Sequence, residues 1–209
     1  MKILIDPGHG GMSVENGYTT PGKRSPKGND GVIYEGISNR AFAYNICYRL
    51  SLLGIKAEVL NADTKDVPLT QRVKRINDMV SSAPKDYLLV SIHSNAAPTP
   101  SSNSPFVSAT GIEIYTSANA PAYTVGIAHK IAKSLITDLP TVVWRYGNNW
   151  ALHKEQNFEI IKRTRCPAVL LEVLFMNGVS DYGLLTSPEW RVKFESALVN
   201  AIYATCNTI

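Results

Sequence analysis

Residues 2–11 read KILIDPGHGG, a short apolar run followed by an acid, a proline, a histidine and three glycines. Lys2–Ile5 predicts a buried strand, because a short apolar run bounded by turn residues is typical of a strand covered on both faces. The stretch that follows, Gly8–Ile33, is rich in turn-forming residues and is predicted to be a long loop. His9 therefore stands where a strand ends, and in an open α/β sheet functional groups gather at that place.

Two later apolar runs end in the same way. Leu88–Ile92 runs into His93, and Val169–Leu171 runs into Glu172. A carboxylate inside an apolar run needs a cation, a hydrogen-bond network or a catalytic role, because an unpaired buried charge costs several kcal/mol. The three runs together predict one sheet edge that collects two histidines and a carboxylate.

The rest of the chain alternates between strand-like and helix-like segments, which is typical of an α/β sandwich around a largely parallel sheet. The further predicted elements are helices at Ser38–Leu53, Leu69–Val80 and Pro121–Asp138, strands at Lys56–Leu60, Asp86–Ile92, Ile112–Thr116 and Ala168–Val173, an irregular segment at Leu139–His153 and a last helix that begins at Ser187. No linker divides these segments, so we expect residues 1–209 to form a single domain.

Composition narrows the class of protein. The chain has 209 residues, of which 44% are hydrophobic and 18% are charged, which is ordinary for a globular protein with a real core and excludes disordered, collagen-like and coiled-coil proteins. Its net charge of +4 is not clustered, so no nucleic-acid partner is expected, although weak attraction to an acidic polymer is. No apolar stretch approaches the ~20 residues of a membrane span, so no membrane insertion is expected.

The N-terminus and the cysteines bear on the cellular setting. Only three apolar residues, Ile3–Ile5, precede Asp6, whereas a secretory signal needs roughly 7–15, so no export signal is expected. Three cysteines without C-x-x-C spacing argue against a disulfide framework and fit buried thiols in a reduced compartment.

Two histidines and a carboxylate can form a zinc site that leaves the fourth position open for water. The third ligand should come from the loop that follows His9, and Glu35 is the better candidate because it directly precedes the first predicted helix. Glu15, on a glycine-flanked stretch, is a weaker rival. On spacing alone a zinc site and a structural interpretation both stay open, because the residues form no short H-E-x-x-H motif.

Four motifs decide between these interpretations. They are Asp6–Gly11 (DPGHGG), Tyr34–Gly36 (YEG), Ser91–Ala96 (SIHSNA) and Leu171–Asn177 (LEVLFMN). In this order they resemble the zinc-dependent N-acetylmuramoyl-L-alanine amidases that open with D-P-G-H-G-G. Leu69–Asn77 and the stretch from Phe158 to Val169 are similar to further parts of that family, so the resemblance covers nearly the whole chain.

The resemblance implies a single α/β domain, a three-layer sandwich around a mostly parallel six-stranded sheet. It also implies an enzyme that cleaves peptidoglycan at the amide between N-acetylmuramic acid and L-alanine of the stem peptide. His9, Glu35 and His93 match the ligands of one zinc ion per chain, and Glu172 matches the catalytic glutamate. Zinc would activate a water, for which Glu172 would act as general base.

Other residues near these motifs have open roles. Asp6 is expected either to orient His9 or to cap the loop, and Asn95 to position substrate or a metal ligand. Trp144, Arg145 and Trp150 are expected either to line a substrate groove or to fold onto the core of the domain.

Supporting roles are expected elsewhere: Arg72 and Asn77 should stabilise the domain or the sheet edge, and His129 and His153 should be structural or surface residues.

Three alternatives stay open. A zinc peptidase could act on the stem peptide, although its short-spaced ligand motifs are absent. A glycosidase could use Glu35 and Glu172, with the carboxyls ~5–10 Å apart, but it would not need the histidines. A catalytically inactive wall-binding module is the third.

The expected setting is a phage or prophage endolysin without a separate wall-binding domain, which acts on the cell wall as a monomer after a holin pore releases it. The alternative is a mature chain from which an export signal was removed. The loops Gly11–Ile33 and Ala97–Thr110 are expected to shape access to the site.

Overall fold

A six-stranded sheet between two layers of helices organises the chain. The computed structural model describes residues 1–99 and 105–207. The strands are, in spatial order, β4 (Ala57–Val59), β1 (Lys2–Pro7), β5 (Tyr87–Asn95), β8 (Ala168–Phe175), β6 (Ile112–Thr116) and β7 (Lys154–Glu155). The first four run parallel, β6 runs antiparallel to β8, and β7 runs parallel to β6. The predicted α/β class with a mostly parallel sheet is therefore confirmed.

The helices cover both faces of this sheet. They are α1 (Glu35–Leu52), α2 (Leu69–Met79), α3 (Ala122–Asp138), α4 (Glu159–Lys162), α5 (Val179–Thr186) and α6 (Pro188–Asn207). One face packs on α1, α3, α5 and α6 and forms the larger core, and the other packs on α2 and α4. Strand residues alternate between the two cores, with Ile3 and Ile5 in the larger one and Leu4 in the smaller one. The apolar runs are continuous because both faces are buried.

The same alternation places the polar residues of the strands on one face. Leu4, Leu89 and Leu170 pack in the smaller core with α2 and α4. Because side chains repeat with a period of two along a strand, Asp6, His93 and Glu172 share that face at the carboxyl ends of β1, β5 and β8.

Both β5 and β8 are longer than the apolar pattern predicts. They continue to Asn95 and Phe175, so His93 lies inside its strand rather than after it, and Glu172 lies further from the end of its strand than predicted. The reason is that these two residues pair with each other in the parallel ladder between β5 and β8. A register shift between His93 and Asn95 and a positive φ of 63° at Leu174 end the regular pairing.

Helix α1 begins three residues earlier than its helical pattern indicates, at Glu35 rather than Ser38. The hydroxyl of Tyr18 accepts a hydrogen bond of 2.9 Å from the backbone N–H of Gly36 and thereby satisfies one of the free donors of the first turn. Tyr18 comes from the loop that follows β1, where β2 (Met12–Ser13) and β3 (Gly17–Tyr18) form a small hairpin.

Several short elements have no strong sequence signal and are found only in the structure: β7, α4, α5 and the hairpin β2–β3. Of the predicted loop Ala97–Thr110, residues 100–104 lie outside the described part of the chain. The segment Leu139–His153 is irregular as predicted, apart from one 3₁₀ turn at Asn148–Trp150. None of the helices within residues 1–99 and 105–207 is long and apolar enough to cross a membrane.

Candidate active site

His9, Glu35 and His93 converge at the carboxyl ends of β1 and β5. One ligand atom from each lies within 4.8 Å of the others. Glu35 Oε1 is 3.2 Å from His9 Nε2 and 3.2 Å from His93 Nδ1. Glu15, the rival ligand, is exposed in the turn of the hairpin β2–β3 and is not in this group. Two imidazole nitrogens and a carboxylate oxygen are the donor set of a His₂Glu zinc site, so the residues fit that metal.

Backbone geometry holds His9 in place. Its φ of 67° lies in the left-handed region, which costs a residue other than glycine about 1 kcal/mol and needs outside support. Arg40 Nη1 and Arg72 Nη2 both donate to the His9 carbonyl, each at 2.9 Å. Gly8 lets the chain pass the ring of His93, because a Cβ at Gly8 would lie 2.2 Å from that ring.

Glu35 is held as an anion between the two histidines. Burial alone would raise the pKa of Glu35, but hydrogen bonds from His9 and His93 and the charges of these residues lower it well below its usual range. Burial lowers the pKa of His93, yet the contact with Glu35 and the charge of Glu172 outweigh it and raise that pKa overall. Glu35 is also the first residue of α1, where the helix dipole favours a negative charge.

Glu172 stands next to His93 in the register of the sheet. Burial raises its pKa to about 7, and the Oε2 atom is buried without a hydrogen-bond partner in the described part of the chain. A buried oxygen without a partner is costly, which points to a role in chemistry rather than in stability.

On the other side of Glu172 lies Glu113, which pairs with it across the antiparallel ladder between β8 and β6. Glu113 is 2% exposed. Its carboxylate accepts four hydrogen bonds from side chains, and the donors are Asn95 Nδ2 (3.0 Å), Tyr115 OH (2.6 Å), Arg145 Nε (2.6 Å) and Lys154 Nζ (2.7 Å). We call these five residues the Glu113 cluster.

A family model described as N-acetylmuramoyl-L-alanine amidase (Amidase_3) matches residues 3–204. The chain belongs to this family. The resemblance drawn from the four motifs is therefore confirmed, and membership supports peptidoglycan amidase activity.

Two sequence relatives and one solved structure are similar to this chain over nearly its whole length. Over 203 residues the chain is 27% identical to the uncharacterized protein YqiI of Bacillus subtilis, covering 96% of this chain and 82% of that protein. It is 22% identical over 203 residues to the probable cell wall amidase LytH of Staphylococcus epidermidis, covering 96% of this chain but only 56% of LytH. The crystal structure of N-acetylmuramoyl-L-alanine amidase from Clostridium difficile 630 matches with a TM-score of 0.77 at 26% identity, covering 99% of this chain and 96% of that one.

In this amidase Asp6 does not contact the ring of His9 directly. Its carboxylate accepts hydrogen bonds from Asn61 Nδ2, Arg72 Nη1 and Ser91 Oγ at 2.9, 3.0 and 3.1 Å. Arg72 then connects Asp6 to the carbonyls of Pro7 and His9. Asp6 thus acts on the position of His9 through the buried side chain of Arg72.

We expect Arg72→Met to lower the free energy of unfolding by about 3–5 kcal/mol, because it leaves the buried charge of Asp6 without its partner. The control is Lys74→Met on the same helix, whose exposed pair with Asp78 should contribute no more than about 0.5 kcal/mol. Urea unfolding of both variants measures the difference. Equal stabilities of the two variants would contradict a structural role for the Asp6–Arg72 pair.

The aromatic residues of the irregular segment divide into two groups. Trp144 packs against the larger core, and its Nε1 donates to the carbonyl of Leu152 at 3.1 Å, so it supports the segment rather than facing solvent. Trp150 is 81% exposed, and its ring contacts that of Tyr146 edge to face at 5.7 Å. Asn149 and Trp150 both have positive φ, of 52° and 59°, so the tip of this loop is strained.

Backbone contacts hold together the two ends of the loop that carries Trp150. Gly147 N–H donates to the carbonyl of Ala151, and a Cβ at Gly147 would lie 2.1 Å from the His153 carbonyl. The Nδ1 atom of buried His153 lies 2.9 Å from His129 Nε2, which ties the loop to α3. Both histidines thus have structural surroundings, as the sequence predicts. Asn77 bonds Arg163 and Arg165 backbone groups and ties α2 to the segment before β8.

Three residues around the site were missed by sequence reasoning. Tyr18 supports the start of α1, Arg40 holds the His9 carbonyl, and Glu113 organises the polar residues beside Glu172. Glu113 carried the one usable signal, because it interrupts the strand Ile112–Thr116 with a charge. The other two act through contacts distant in sequence, and no local pattern marks them.

Proposed function

We propose that this chain is a zinc-dependent amidase that hydrolyses the bond between N-acetylmuramic acid and L-alanine of the peptidoglycan stem. The observation that carries the proposal is the convergence of His9, Glu35 and His93 beside the half-buried Glu172, whose buried Oε2 has no hydrogen-bond partner among the residues that the structure describes. Family membership supports the amidase part, and the donor set supports zinc, with one ion per chain.

His9 Nε2, Glu35 and His93 Nδ1 would hold the ion. When bound, zinc supplies Lewis-acid activation of a water and of the scissile carbonyl. Arg40 and Arg72 position His9, because both donate a hydrogen bond to its backbone carbonyl.

Glu172 is proposed as the general base. In the metal-free chain burial raises the pKa of Glu172 to about 7, and a bound cation would lower it from there, which favours the carboxylate that takes up a proton. In this role it accepts the proton of the attacking water and then transfers it to the leaving amine of alanine. Its position beside His93 in the sheet places it next to the proposed metal ligands.

Analysis of the products of peptidoglycan digestion tests this function. The amidase should release new N-terminal alanine and no reducing sugar ends. New reducing ends would instead indicate the glycosidase, new amines from other residues the peptidase, and no product the inactive wall-binding module. Against the glycosidase stands Glu35, whose Oε1 atom both histidines approach. Against the inactive module stand four positions that all carry competent residues.

Asn95, Arg145 and Trp150 are proposed to bind substrate. Asn95 and Arg145 both donate to Glu113, which brings them beside Glu172. The ring of Trp150 is exposed at the strained tip of a loop whose two ends are held together. Exposed aromatic rings of this kind stack on the apolar faces of sugars. Trp144 is proposed to support this loop through the hydrogen bond from its Nε1 to the carbonyl of Leu152.

We expect Trp150→Ala to weaken binding to insoluble peptidoglycan by about tenfold, the equivalent of ~1.4 kcal/mol, because the exposed ring is lost while the loop base stays closed. The matched control is Tyr48→Ala, which removes another exposed ring from α1. Pelleting assays with purified cell walls give both values. Equal losses in the two variants would show that Trp150 has no special part in binding.

Peptidoglycan is the proposed partner, and the site of action is the cell wall. Release by a phage holin and a monomeric state stay predictions.

A further inference from the structure

The Glu113 cluster carries more positive than negative charge. Burial alone would raise the pKa of Glu113, but hydrogen bonds from Lys154, Tyr115 and Arg145 lower it below its usual range. Glu113 is therefore an anion that neutralises only one of the two cations it holds. One positive charge is left over in the cluster, on side chains held by Glu113, which itself pairs with Glu172 across the sheet.

The surplus charge is on the accessible part of the cluster. The side chain of Glu113 is 3% exposed, whereas those of Arg145 and Lys154 are 38% and 26% exposed. Arg145 uses Nε for Glu113 and lies 5.0 Å above the ring of Phe175. In the described part of the chain no hydrogen bond engages its Nη2 group, so the guanidinium keeps donors for a ligand.

An open cavity of about 680 Å³ adjoins the cluster. Tyr115 and Lys154 form part of its wall, together with Tyr146, Gly147 and other residues of the irregular loop. A substrate group that contacts Lys154 would therefore lie at the edge of this cavity.

We infer that Arg145 and Lys154, held by Glu113, form a subsite for a carboxylate of the stem peptide, that of the residue after L-alanine. The inference rests on the proposed function. The sugar strand offers no such group, because the lactyl carboxyl of muramic acid is consumed in the scissile amide. The second stem residue is a γ-linked glutamate with a free α-carboxylate, which some peptidoglycans carry as the amide instead.

The distances are compatible with this assignment. Neighbouring strands lie ~4.8 Å apart, so the cations beyond β6 lie about one to two strand spacings from Glu172. Each peptide residue spans at most ~3.6 Å, so the carboxylate of the second residue can reach that far from the scissile amide. The planar guanidinium of an arginine can donate two parallel hydrogen bonds to a carboxylate. Hydrogen bonds between charged groups are stronger than those between neutral groups.

The test compares muramoyl-L-alanyl-γ-D-glutamyl-L-lysine with its α-amide, muramoyl-L-alanyl-D-isoglutaminyl-L-lysine. In both ligands the γ-carboxyl is in amide linkage, so that they differ only in the α-carboxylate. Calorimetry on the full chain with Glu172→Gln measures the binding of each without turnover. We expect the acid to bind about tenfold more tightly than the amide. Arg145→Gln and Lys154→Met should each reduce this ratio, and together they should bring it close to one.

Arg163→Gln is the matched control, because Arg163 is an exposed arginine paired with Glu159 on the surface and should leave the ratio unchanged. Arg145→Lys keeps the charge without the planar fork and should give an intermediate ratio. The acid and the amide are first compared on a chain in which the Glu113 cluster is unchanged. Misfolding of a cluster variant therefore cannot hide the difference between the two ligands.

Equal binding of the two ligands, tighter binding of the amide, or a ratio that persists in the double variant would each overturn the subsite. The proposed function fails separately, if the unsubstituted chain releases no N-terminal alanine from either form of peptidoglycan. A binding preference in such a chain would leave the subsite standing.

Discussion

Replacing Glu172 by glutamine is expected to slow the release of N-terminal alanine from peptidoglycan by about 10²–10⁴-fold, the usual contribution of a general acid–base residue. Glutamine keeps the size and shape of the side chain but cannot take up the proton of the attacking water. Labelling of new amino termini during digestion, followed over time, gives the rate. Turnover at the rate of the unsubstituted chain would remove Glu172 from the mechanism even if the product is correct.

The stability of the Glu172→Gln variant is the control for this result. Because burial raises the pKa of Glu172 from 4.5 to about 7, the metal-free folded chain loses stability as the pH rises through that range and a buried charge forms. The neutral amide avoids this cost. The variant should therefore be at least as stable as the unsubstituted chain at pH 8, and any loss of activity cannot then be attributed to unfolding.

Replacing His9 or His93 by alanine is expected to abolish both zinc binding and amide hydrolysis. Each change removes one of the three protein ligands, and the remaining two cannot hold a catalytic zinc ion. Metal analysis of the purified protein should fall from about one zinc per chain to near zero. Treatment of the unsubstituted chain with a strong chelator should have the same effect on activity, and added zinc should restore it.

His129→Ala is the matched control, because His129 lies on α3 and contacts His153 rather than the three converging side chains. This variant should retain zinc and activity. Full activity after exhaustive removal of metal, or a normal zinc content in both His9→Ala and His93→Ala, would refute the assignment of the ligands.

Much of the fold could be predicted because its strands are buried on both faces. Continuous apolar runs such as Ile3–Ile5 and Val169–Leu171 are typical of such strands. The ends of strands and helices were less predictable. The apolar pattern ends at Ile92, but the main chain continues to pair up to Asn95, and backbone pairing leaves no trace in side-chain hydrophobicity.

Some residues of the candidate site could also be predicted from the sequence, and others could not. His93 and Glu172 directly follow apolar runs, so the sequence marks them, and their common face follows from the period of two along a strand. The Arg72–Asp6 pair joins residues 66 positions apart, and nothing near either residue indicates the other. The Arg72–Asp6 pair matters for stability because both side chains are buried, and they are buried because α2 packs on the sheet.

By itself, the sequence determined that this is an α/β amidase with His9, His93 and Glu172 at one sheet edge, because strand periodicity and motif order are local properties. Only the tertiary structure decided what surrounds them. Tyr18, from the loop that precedes α1, accepts a hydrogen bond from the first turn of that helix, where Glu35 lies. The antiparallel insertion of β6 places Glu113 beside Glu172, and a strand's direction and neighbours depend on the packing of the whole sheet rather than on its own residues.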